Sequence, residues 1–117
     1  MARYTSLYRS IAPSPNVKEF LFDMLRSCNF DVIYDRGDYL FAREVPGKVD
    51  YSKLVTVEVL IDQPIAALRE TDGQLHMNVV VKNEELPLQV NNHCRQKFNL
   101  VNNAVLSNEM LSPVCVA

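Results

Sequence analysis

The run LVTVEVLID, Leu54 to Asp62, decides how the rest of the chain must be arranged. Val55, Val57, Val59 and Ile61 alternate with Thr56, Glu58 and Leu60, and side chains two residues apart on an extended backbone share one face. Most of its residues are β-branched, which suits a pleated, half-buried surface. The run therefore reads as a central strand, apolar toward a core on one side.

One step toward the N-terminus, FDVIYD and DYLFARE flank Arg36 and Gly37. Glycine supplies the positive φ of a tight turn, so the two read as a hairpin of antiparallel strands. One step toward the C-terminus, LHMNVVVKN places Leu75, Met77, Val79 and Val81 on one face and His76, Asn78 and Lys82 on the other. Between these strands Pro64 interrupts the ladder. IAALRE, residues 65–70, reads either as a bent edge strand or as a short helical turn before the turn at TDGQ.

The outer segments change period. In SPNVKEFLFDMLRSCNF, Ser14 can cap a helix and Pro15 suits its first position. Val17, Phe20, Leu21, Met24, Leu25 and Cys28 then follow at the spacing of one helical stripe. From about Pro87, Val90, Cys94, Phe98, Val101 and Val105 form a second apolar arc, flanked by Leu100 and Ala104, with Glu84 and Glu85 placed to meet the positive end of the helix dipole. RYTSLYRSI, residues 3–11, reads as a first strand. Residues 110–117, broken by Pro113, read as a tail that frays or packs on a partner.

The order is β-α-β-β-β-(β)-α. Strands joined by short turns are antiparallel, and two one-sided helices need a shared apolar surface. The prediction is a single α+β domain over residues 1–117: a two-layer sandwich with an antiparallel sheet of four or five strands and both helices on one face. A chain of 117 residues, 48% apolar and 22% charged, has enough hydrophobic residues for one core. The open second face carries apolar residues, with Tyr34, Leu40, Leu60 and Val80 expected to point outward.

Twelve basic and fourteen acidic residues leave a net charge of −2 with no long run of one sign, which argues against general nucleic-acid binding. No apolar run approaches the roughly 18 residues of a membrane span, and MARYTSLYRS lacks the apolar core of a secretion signal. Cys28, Cys94 and Cys115 are odd in number and widely separated. That pattern fits neither a disulfide framework nor a zinc ribbon and points to the reducing cytoplasm.

Chemistry concentrates in NNHCRQ, residues 91–96. Neighbours in a helix do not face each other, so His93 and Cys94 cannot form an imidazole–thiol pair by themselves. Cys94 lies mid-arc and reads as a small buried hydrophobe. A metal site would need His93 to reach His76, with Asp31 or Glu58 completing the set, and the reading is that no metal or cofactor is held. Gly-rich phosphate loops and nucleophile motifs are absent, so no enzyme is expected. Asn91, Asn92, Asn99, Asn102 and Asn103, with Arg95 and Gln96, fall opposite the apolar arc. Arg95, Asn92, Asn99, Asn102 and Asn103 therefore form a candidate partner surface with Arg95 as its energetic centre.

DYLFAREVPG, KLVTVEVLID and VVKNEELPLQVNNHCRQKFNLVN resemble small cyanobacterial proteins to which no activity is attached, over most of the chain. The layout is also similar to helix-grip and secretion-chaperone-like domains, a likeness of fold that carries no function. The expected function is a non-catalytic protein-interaction or assembly factor, chaperone-like, with an unidentified protein partner and a homodimeric form. The alternative is a carrier of a small ligand, a lipid or pigment, in a cavity lined by Phe20, Met24 and Phe98 between helices and sheet.

Overall fold

The computed structural model describes residues 1–10, 17–47, 49–62, 75–86, 88, 92–108 and 111–113. The elements run β1 (Ala2–Ser10), α1 (Val17–Ser27), β2 (Phe30–Asp35), β3 (Tyr39–Glu44), a 3-10 turn at Tyr51–Lys53, β4 (Thr56–Asp62), β5 (Leu75–Asn83), α2 (His93–Leu106) and β6 (Leu111–Pro113). The fold is α+β, an antiparallel sheet with two helices. IAALRE and the helix-capping residues Ser14 and Pro15 lie outside the described residues.

The strands form one sheet in the order β2-β3-β4-β5-β1-β6, every pair antiparallel. LVTVEVLID is interior, between β3 and β5, as its alternation requires. Val55, Val57 and Val59 are fully buried, and Met77, Val79 and Val81 of β5 lie beside them. The first strand crosses to the far side of β5 and leaves β2 alone at the opposite edge. The short β6 pairs Leu111–Pro113 with Tyr8–Ser10, so part of the expected tail is a sixth strand. Three residues are too few to show a period, which is why it was not read from the sequence.

The hairpin turns at Gly37, whose φ of +85° is open to glycine at little cost. The Asp35 carboxylate accepts from the Gly37 amide at 3.0 Å. The chain turns away from α1 at Asn29, in the left-handed conformation with φ of 71°, a position that asparagine tolerates better than most residues. From there the Asn29 carbonyl accepts from the amide of Val45, which ties the helix end to the exit of β3.

A single core joins the layers. Leu21, Met24, Leu25 and Cys28 of α1 and Cys94, Phe98, Val101 and Val105 of α2 meet Tyr8, Phe30, Leu40, Ala42 and the strand valines. Each fully buried leucine here should cost about 2–5 kcal/mol if cut back to alanine.

Leu40 corrects the expected outer face. It is fully buried with Ala42 and Glu44, and Tyr39, Phe41 and Arg43 take the other side. The register of β3 on β4 sets this parity, pairing Leu40 with Val59 and Ala42 with Val57. An irregularity between Val32 and Tyr34 shifts β2, so Tyr34 pairs with Phe41 on the outer face.

Candidate functional site

The hexapeptide opens α2, and Asn92, His93, Cys94 and Arg95 each have a structural task. Asn92 is the N-cap: its Oδ1 accepts from the Arg95 amide at 2.8 Å, and its Nδ2 donates to the Tyr4 hydroxyl at 2.8 Å. Cys94 is fully buried, with Sγ 3.8 Å from the carbonyl of Ala2 and 3.6 Å from that of Val81. Burial, reinforced by the nearby Glu85 carboxylate, pushes this thiol up to about 12, so the nucleophilic thiolate is scarce at neutral pH.

His93 meets a residue that the sequence reading did not single out. Glu44, 1% exposed, takes the imidazole Nε2 at 2.9 and 3.1 Å on its two oxygens. It also accepts from the Val55 amide at 3.2 Å. Lys97, one turn further along α2, brings Nζ within 3.7 Å of the same carboxylate and donates to the Cys28 carbonyl at 3.2 Å. One buried carboxylate thus clasps α2 to β3, and Lys97 reaches the end of α1. Leu40, Ala42 and Glu44 share one parity of YLFARE, a signal that puts the carboxylate on the core side only once the face covered by the helices is known.

Glu85 binds the same helix start. Its Oε1 accepts from the Cys94 amide at 3.0 Å and from Asn83 Nδ2 at 2.6 Å. The free amides of a first helical turn favour such an anion. His76 is exposed on the opposite face of the sheet from α2, so the two histidines do not come together. Among the described residues, no three His, Cys, Asp or Glu side chains group as metal ligands.

The expected amide strip divides. Asn92 turns inward as the cap, and Asn102, half-buried, accepts from the Tyr8 hydroxyl. Asn99 and Asn103 remain outward. The Arg95 guanidinium lies 5.1 Å from the Tyr4 ring centre and 5.3 Å from that of Phe98, which holds it against the body of the domain. Of the residues expected to line a cavity, Met24 and Phe98 belong to the core and Phe20 is packed against it.

What the described elements leave uncovered is the second face of the sheet. Its rows follow from the register. Thr5, Val80, Glu58, Phe41 and Tyr34 lie side by side, and next to them Leu7, Asn78, Leu60 and Tyr39. Leu7, Tyr34 and Leu60 are 40%, 47% and 46% exposed. Tyr39 packs edge-on against Tyr34 with centroids 6.1 Å apart. Val80 is buried although it faces away from the helices. Leu7, Leu60, His76 and Asn78 line a shallow hollow of about 300 Å³.

No family model matches the chain, and neither a curated protein nor a solved structure is significantly similar to it. No described helix is long and apolar enough to cross a membrane.

Proposed function

We propose that this protein is a non-catalytic interaction domain that binds protein, first of all a second copy of itself, through the open face of its sheet. One observation carries the reading: Tyr34, Phe41, Tyr39 and Leu60 adjoin in register, with Leu7 beyond Asn78 in the same row as Leu60, on a face that neither helix covers. An antiparallel sheet with one face on its core ordinarily turns polar residues to water on the other. An apolar and aromatic cluster in that position marks an interaction surface. Sheets pack face to face at about 10 Å, and closed two-fold dimers are the commonest assemblies.

An assembly or chaperone-like role fits such a surface. The outward Asn99 and Asn103, beside Arg95, are a second and smaller contact region. The cytoplasm is the setting this reading favours, supported by the unpaired thiols of Cys28 and Cys94. Carriage of a lipid or pigment is the weaker alternative, because Phe20, Met24 and Phe98 would have to separate to make room.

Sedimentation velocity across a concentration series tests the proposal. The wild type should dimerise, and Leu60→Lys and Tyr34→Asp should each weaken the dimer by about tenfold or more, which is about 1.4 kcal/mol, without changing the circular dichroism spectrum. A monomer at every concentration, or a dimer indifferent to both substitutions, overturns it.

A further inference from the structure

We propose that the hollow at one end of the open face, beneath the 3-10 turn, binds a nucleoside phosphate. This goes beyond the protein-interaction reading and stands independently of it. The register aligns Arg3, Lys82, Thr56 and Arg43 in one transverse row on neighbouring strands. Neighbouring strands lie about 4.8 Å apart, so Arg43 and Lys82 stand on either side of the Thr56 hydroxyl at a backbone separation of about 10 Å.

A hollow of about 540 Å³ opens there, lined by Arg43, Lys82, Thr56, Ser52, Tyr51 and Leu54 among others. That volume is within the range of small-ligand sites. Asn83 fixes its wall by donating to the Lys53 carbonyl at 3.1 Å, which pins the 3-10 turn to β5. The guanidinium of Arg43 and the hydroxyls of Tyr51 and Ser52 have no acceptor among the described residues.

Charge and shape select the ligand. Two cationic side chains on strands whose backbones lie about 10 Å apart, one on either side of a hydroxyl, can serve the several oxygens of a diphosphate, which accept from several donors at once. Lys82 shares its charge with Glu58 at 3.0 Å and Glu84 stands at the rim, so Arg43 is the principal anion contact, and the limited positive charge suits a small anion rather than a long polyanion. Tyr51 is 81% exposed and offers a ring face beside Leu54 on which a flat base can stack.

The test titrates the ¹⁵N-labelled full-length protein with ADP and, separately, with inorganic pyrophosphate, and follows amide shifts. ADP should move the amides of Arg43, Ser52 and Lys82. Arg43→Ala, Arg43→Gln and Lys82→Ala should each weaken binding roughly fivefold or more. Tyr51→Ala should weaken ADP and leave pyrophosphate unchanged. These side chains are at the surface, and an otherwise unaltered spectrum verifies folding. The proposal fails if ADP gives no saturable shift up to about 5 mM, if ADP binds the Arg43 and Lys82 variants as it binds the wild type, or if pyrophosphate binds as tightly as ADP.

Discussion

Glu44 shows how one side chain can link three elements. It sits on β3 and is fully buried, and it receives α2 through His93 and Lys97 and the approach to β4 through the Val55 amide. Removing one member of such a group strands the others in a dry site, a larger loss than the net worth of the interaction. Glu44→Ala should therefore lower the unfolding free energy by about 3 kcal/mol in a urea titration. A loss below about 1 kcal/mol would mean that the clasp is exposed to water in solution. Cys94 gives a second check. With Cys115 replaced by serine, the folded protein should leave a thiol reagent unreacted at pH 8, because Cys28 and Cys94 are both buried with raised pKa values, and two thiols should react in denaturant. Rapid labelling of the folded form would contradict the sealed position of Cys94. Its burial was legible in the sequence, since it falls at the centre of a helical arc. The partner of His93 was not: Glu44 is distant in sequence, and strand parity becomes informative only once it is known which face of β3 the helices cover.

The start of α2 is set by polar groups rather than by its apolar period. The arc suggests a helix from about residue 87, whereas Asn92 closes the first turn and the helix begins at His93. Asparagine is a weak helix former and a strong cap, so the same residue type that made this segment unusual also fixes its boundary. The Glu85 carboxyl belongs to this cap. Burial alone would raise its pKa, but bonds from the Asn83 side chain and the Cys94 and His93 amides, with the charge of His93, together hold it below its ordinary 4.5. A carboxyl depressed in the folded state contributes stability that is present above its unfolded pKa and lost as pH falls through the folded value. The protein should accordingly lose stability as the pH falls below about 4.5, and Glu85→Gln should flatten that acid limb in thermal unfolding followed by circular dichroism. An unchanged acid limb would show that the cap carries no proton-linked stability. Strand β6 marks the other limit of local reading, because pairing with β1 rather than its own pattern defines it.

At the scale of the molecule, the alternation in LVTVEVLID and the stripes of the two helices were enough to specify two layers. Strand order was not legible, because β1 reaches its place beside β5 through a crossover that leaves no local mark. The open face was legible in part. Leu60 and Tyr34 were expected there, and Tyr39 and Phe41 take the place assigned to Leu40 because the β3–β4 register reverses the assumed parity. That reversal puts two half-buried aromatic rings on the open face in place of Leu40. The most direct test of the central claim is an isotope-filtered nuclear Overhauser experiment on a mixture of methyl-labelled and unlabelled protein. Intermolecular contacts from the methyls of Leu7 and Leu60 to aromatic protons of Tyr34, Tyr39 or Phe41 are the predicted result. Intermolecular contacts confined to the helices, or none at concentrations near 1 mM, which would detect even weak association, would contradict the account.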